Sequence, residues 1–303
     1  MQIIKRTIKK INFILLKNGI NTFPKYFNKI EDINISPIFI LGGNRSGTSL
    51  ISELVSQHTK VEGVFSGNRT APSSSHNHKH ILAYCTSHHV WNFLLRLKKD
   101  WAQVNEDVLW GHPKHISKYY KDKPRNIKES LILANAVQHY RKTNKIPLIN
   151  SHFNLFRIGL IKKIFPNAKF ILIIKNYNEI IESCYHKWSK QNIEIEYPKI
   201  GLHWFTLNSC CLYDLMKYAS KDYCVFDYSL LFDNNEQTNK MINDNLLQIG
   251  LPPFDYKLDI INQKHRFIDG KNSYQLQYEE LFGWIETIIS DETKLITDLQ
   301  RKN

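Results

Sequence analysis

"FILGGNRSGTSLISELV", residues 39–55, is an apolar run that breaks at a glycine pair and resumes as a helix-patterned stretch. Gly42 and Gly47 have the G-x-x-x-x-G spacing of a phosphate-cradling loop, but Thr48 stands where a triphosphate loop carries lysine. In such a loop the backbone N–H groups and the following helix N-terminus hold the anion, the lysine reaches the β- and γ-phosphates, and the hydroxyl binds magnesium. Here Arg45 lies inside the loop, and Ser46, Thr48 and Ser49 add hydroxyls. The next strong apolar run, "FILIIKNYN", ends in Lys175 rather than in an acidic magnesium ligand. This set of residues suits a terminal 5′-phosphate or a sulfate-like group better than a magnesium-bound triphosphate.

Outward from the loop, short apolar runs alternate with longer stretches of helical periodicity. The runs that read as buried strands are 38–41, 147–149, 170–174 and 223–226. Helical periodicity covers 48–58, 80–97, 127–142, 155–165, 178–190 and 200–219. Alternation of this kind predicts an α/β fold, a three-layer α/β/α arrangement with a central parallel sheet whose ligands sit at the carboxyl ends of the strands. The segment "SGNRTAPSSSHNHK", residues 66–79, reads as a surface loop and a candidate substrate lid, and a further helical stretch is expected near 281–299.

The 303 residues, 42% hydrophobic, are enough to bury a sizeable core, and a single domain over 36–303 is expected. Residues 1–35 read separately, as a basic amphipathic segment with lysines and Arg6 against Ile3, Ile4, Ile8, Ile11 and Leu15. Such a segment packs on the domain with a solvated lysine face or, as the alternative, lies on a membrane surface. The net charge of +13 points to an anionic partner: a phosphorylated cofactor, an acidic glycan, a membrane or a nucleic acid. Five cysteines without C-x-x-C spacing read as reduced thiols of a cytoplasmic protein. No apolar run approaches the ~18 residues of a membrane span.

The strand followed by "GGNRSGTSLISELVSQHTKV" resembles the 5′-phosphosulfate loop of sulfotransferases that use 3′-phosphoadenosine 5′-phosphosulfate (PAPS), in which Gly-x-x-[RK]-S-G-T-[ST] precedes a helix ending in histidine. A second stretch, "FPNAKFILIIKNYNEIIESCYHKW", is similar to that family's 3′-phosphate element, a strand ending in Arg-Asp-Pro with a serine eight residues after the arginine. Lys175 takes the arginine position and Ser183 the serine position, while Asn176 and Tyr177 replace Asp and Pro. Lysine keeps the charge but not the bidentate fork. A third stretch, "YCVFDYSLLFDNNEQTNKMINDNLLQIGL", is similar to the family's later strand, Tyr-Glu-x-Leu and helix, with Ser229 in place of Glu. The resemblance spans about residues 36–251. It implies PAPS as co-substrate, with Gly43, Asn44, Arg45, Ser46, Gly47, Thr48 and Ser49 on the 5′-phosphosulfate and Lys175 and Ser183 on the 3′-phosphate. Arg266, in "KHRFIDGK" with Lys264, His265 and Lys271, is similar to a C-terminal loop that closes over the cofactor.

Sulfuryl transfer places acceptor oxygen, sulfur and leaving oxygen in line and needs no metal. Arg45 can neutralise charge on the departing 5′-phosphate. For the general base His152 is preferred, because it follows a predicted strand ending at the loop's edge of the sheet, in a neighbourhood similar to the family's Lys-Thr-His. Glu62 and His112 are the alternatives. His76, His78 and His80 read as a solvated loop and not as a metal site. The expected acceptor is a hydroxyl of a glycan or lipid-linked saccharide; the stretch "WGHPKH" reads first as a plain turn, with Trp110, His112 and His115 lining the acceptor pocket as the alternative. The expected setting is cytoplasmic, with peripheral contact at an inner membrane through the N-terminal segment as the alternative to its packing on the domain, and with no nucleic-acid partner. Two competing readings are a kinase or NTPase, and a non-catalytic basic binding protein on the same fold.

Overall fold

The computed structural model describes residues 23–43, 45–65, 120–141, 143–176, 179–180, 183, 197–228, 231 and 236–256. Within them the chain runs through β1 (Ile38–Leu41), α1 (Thr48–Ser56), β2 (Val61–Phe65), α2 (Ile127–Tyr140), β3 (Ile146–Asn150), α3 (Ile158–Ile164), β4 (Lys169–Ile174), α4 (Tyr197–Ala219), β5 (Tyr223–Asp227) and α5 (Glu236–Gln248). The strands form one parallel sheet in the order β2-β3-β1-β4-β5. The expected α/β fold with a central parallel sheet is the observed one.

Alternation along the strands separates two cores. Phe39, Leu41, Ile149, Phe170 and Leu172 face a cluster with Leu133 and Val137 of α2, Ile161 of α3 and Leu207 and Leu215 of α4. Ile38, Ile40, Leu148, Ile171 and Ile173 face the other way, onto Ile51, Leu54 and Val55 of α1 and Ile242 and Leu246 of α5. Helices therefore cover both faces of the sheet, which is why these strands read as continuous apolar runs. Each fully buried side chain of this size contributes about 1.5–3 kcal/mol.

Part of the segment assigned to the N-terminal 35 residues packs into this core. Phe23, Phe27, Ile33 and Ile35 are buried, and the amides of Tyr26 and Phe27 both donate to Asn135 Oδ1, at 2.7 and 2.8 Å. Its first 22 residues lie outside the described ones.

Two local features differ from expectation. Residues 61–65 form β2, although "VEGVF" reads as a loop. The strand is at the sheet edge, its Gly63 is exposed, and its register on β3 shifts between Gly63 and Phe65. An edge strand with an interior glycine carries little alternation to read. The helix expected from 155 divides into a 3₁₀ turn, His152–Phe156, and α3, with Arg157 between them. The expected helix at 80–97, the loop at 66–79 and the stretch near 281–299 lie outside the described residues.

From β1 the chain passes to β2 on one side of the sheet, and from β4 to β5 on the other. Strand β1 and strand β4 are hydrogen-bonded neighbours, so their carboxyl ends flank the point where the connections diverge. This is where parallel sheets open a ligand crevice.

Candidate active site

The loop leaves β1 at Leu41 and enters α1 at Thr48. Arg45 has φ 67° and Gly47 φ 94°, both in the left-handed region. A non-glycine residue held there costs about 1–2 kcal/mol, so the loop carries strain at its one cation. Ser46 is buried and its hydroxyl donates to Gly43 O at 2.7 Å, folding the loop on itself. Gly47 caps α1 and has no side chain to offer. Leu50 N donates to Gly47 O at 2.9 Å, so the amides of Thr48 and Ser49 are the ones at the helix start that can face an external anion.

Across the crevice, Lys175 follows β4 and is 9% exposed. Its Nζ stands 4.1 Å from the centre of the Tyr228 ring and 3.5 Å from Glu179 Oε2. Its backbone is fixed from α4, where Trp204 Nε1 donates to Lys175 O at 2.8 Å. Arg45 Nε donates to Ser183 Oγ at 2.9 Å, so the loop after β1 touches the segment after β4 directly. Tyr228, just past β5, closes the cluster from a third strand. A Cβ on Gly47 would lie 2.3 Å from Tyr228 Cε2, so the ring rests on the loop glycine. Burial pushes the Tyr228 phenol up to about 12, with Glu179 adding to the shift and Arg45 opposing it.

Strand β3 borders the loop on its other side. Asn150, at the end of β3, donates through Nδ2 to Thr48 O at 3.1 Å. Two residues on, His152 opens the 3₁₀ turn, with its Nε2 shut off from solvent and its ring 4.0 Å from that of Phe153. Glu62 is placed differently. It pairs with Pro147, three positions before Asn150, and its Oε2 accepts from Thr143 N at 2.9 Å and Thr143 Oγ1 at 2.6 Å. Three strand residues are about 10 Å, which sets this carboxylate back toward the amino edge of the sheet.

One crevice thus gathers Gly43, Arg45, Ser46, Gly47, Thr48, Ser49, Lys175 and Ser183, with His152 at the next strand end. Asn44, His112, Trp110, His115, Arg266 and the histidines at 76, 78 and 80 lie outside the described residues. Tyr228 and Glu179 were not singled out from the sequence. Tyr228 was within reach of it, because a residue directly after the strand beside β4 must end at the same edge. Among the described residues no three His, Cys, Asp or Glu side chains converge as a metal site requires.

Residues 37–254 match the family model described as "Sulfotransferase family". No curated protein matches the sequence. Among solved structures, a sulfotransferase from Mycobacterium avium superposes with a TM-score of 0.53 at 13% identity, covering 87% of this chain and 78% of that one. A sulfotransferase from Mycobacterium tuberculosis H37Rv gives 0.52 at 16% identity, covering 84% and 78%. At such identities the likeness is one of fold.

Proposed function

The chain belongs to the sulfotransferase family, and from that premise we propose that it transfers a sulfuryl group from PAPS to a hydroxyl of an acceptor, a saccharide being the acceptor class. The observation that carries this reading is the Arg45–Ser183 hydrogen bond at the β1/β4 crevice, with Lys175 at the end of the same strand β4. Two stretches separated by 138 positions, each similar to one half of a PAPS site, meet there.

The residues fit a nucleotide with anionic groups at both ends. For the 5′ end there are the uncapped amides of α1, Arg45 and the hydroxyls of Thr48 and Ser49. For the 3′ end there are Lys175 and Ser183. The donor, when bound, supplies the sulfuryl group and a phosphate leaving group. Arg45, exposed and in a strained backbone state, neutralises charge that grows on the departing phosphate. Tyr228 and Ser46 hold the loop in shape from either side.

His152 takes the proton from the acceptor hydroxyl. The support for it is positional: Asn150 ties its strand to the loop at Thr48, whereas Glu62 is engaged with Thr143 well back from the carboxyl edge. A base so placed contributes ~10²–10⁴-fold. The +13 charge favours an acidic saccharide. No helix among the described residues is long and apolar enough to cross a membrane. The Lys-rich N-terminal residues are proposed to act at a membrane surface, and their removal should release the protein from anionic vesicles.

Calorimetry with adenosine 3′,5′-bisphosphate, with and without magnesium, tests the donor. Magnesium-independent binding is expected, and its absence would sink the proposal. Transfer of labelled sulfate from PAPS to a panel of saccharides, phenols and lipids tests the acceptor. Labelling confined to phenols or lipids would remove the saccharide from the reading.

A further inference from the structure

Among the described residues Lys175 is the cation that stands at the end of β4 in the proposed 3′-phosphate subsite, and it already has an anion beside it. Glu179 lies four residues on, with Oε2 3.5 Å from Lys175 Nζ. Both side chains are largely withdrawn from water, at 11% and 22% exposure, so neither charge is well screened. We propose that Glu179 is the resident counter-ion of Lys175 and the residue that sets how strongly the 3′-phosphate is bound. This rests on the reading of Lys175 and Ser183 as the 3′-phosphate subsite.

Three observations support it. A buried ammonium needs compensation, and Glu179 with the Tyr228 ring provides it without any ligand. The 3.5 Å contact is longer than the ~2.7–2.9 Å of a well-made charge-assisted bond, so this pairing yields readily to a better acceptor. The carboxylate also lies close to any phosphate that Lys175 meets, because it is already within 3.5 Å of that ammonium. Its field reaches across the crevice, where it acts on Tyr228 in opposition to Arg45.

A phosphate drawn to Lys175 therefore meets a like charge a few ångströms from its own position. Glu179 takes back part of what Lys175 gives, and it does so most for the more highly charged ligand. The consequence is a donor site that lets go. A bisphosphate product leaves faster than from a site with an unopposed cation, since affinity differences between variants sit mainly in the dissociation rate.

The experiment compares adenosine 3′,5′-bisphosphate with adenosine 5′-monophosphate, which lacks the 3′-phosphate, on the full chain and on Glu179→Gln. Glutamine keeps the shape and removes the charge. The ratio of the two Kd values should rise about tenfold in favour of the bisphosphate, with a slower bisphosphate off-rate in stopped flow. A ratio that stays put or falls overturns the proposal, because it would mean that Glu179 only steadies Lys175. Glu179→Ala supplies the same readout should Glu179→Gln fail to fold by circular dichroism. Failure of the wild-type chain to bind either nucleotide would instead overturn the donor reading beneath it.

Discussion

Arg45 Nε lies 2.9 Å from Ser183 Oγ, and this bond joins the turn after the central strand to the segment after its neighbour. Strands β1 and β4 are adjacent, but adjacency alone would leave their loops free to splay, since the connections leave in opposite directions. The bond uses one of the five N–H donors of a guanidinium, which leaves four for a ligand.

Arg45→Gly should separate strain from chemistry. Glycine accepts φ 67° without cost, so thermal stability should hold or rise by up to about 1 kcal/mol, while turnover falls ~10²–10³-fold with the guanidinium gone. Melting curves alongside sulfate-transfer rates read both. A parallel loss of stability and rate would show that the arginine holds the loop together instead.

Two glycines of positive φ make a matched pair. Gly47→Ala meets the Tyr228 ring at 2.3 Å, whereas Gly250, φ 83°, has nothing within 4 Å of its Cβ position. Denaturant unfolding should give a loss of about 1 kcal/mol for Gly250→Ala and about 2–4 kcal/mol for Gly47→Ala. Equal losses would mean that the ring yields freely.

His152→Ala should lower kcat by ~10²–10⁴-fold and leave the affinity for adenosine 3′,5′-bisphosphate unchanged. Glu62→Gln should keep turnover within about twofold of wild type, because that carboxylate serves Thr143. The reverse pattern, found by steady-state kinetics, would exchange their roles.

At the amino edge of the sheet, Asp222 accepts from Lys162 at 2.7 Å and Lys169 at 2.6 Å. Burial by itself would raise this carboxyl, but the two lysines outweigh it and hold it below the usual carboxylate value. A carboxylate depressed in the folded state contributes stability above its unfolded value and loses it as pH falls through the folded one. Asp222→Asn should therefore cost about 1 kcal/mol at pH 7, and the gap should narrow from roughly pH 4 downward and close by about pH 2. Urea unfolding across this pH range measures it, and a gap that persists in acid would point to packing rather than charge.

The central strands were legible because they are buried on both faces and flanked by helices with clear apolar stripes. Ile38–Leu41 needed no correction at either end. The loop was legible because glycine spacing and hydroxyls at a strand–helix junction have few other uses. Strand β2 was not, since among its described side chains only Val61 and Val64 are buried. Glu179 was hidden for another reason. A glutamate in a helix is ordinarily a solvated residue, and only the placement of Lys175 beneath Tyr228 makes its charge matter. Strand order had to be known first.

Strand β1 has hydrogen-bonded partners along both edges and side chains no more than 1% exposed, yet the next few residues reach the exposed Arg45. The loop hangs from the part of the molecule that opens last. Solvent can wet the arginine side chain at any moment, while the strand that anchors the loop stays in place until the middle of the sheet comes apart. Wear on this chain, by heat or by denaturant, should consequently erase its stability and its chemistry in the same transition.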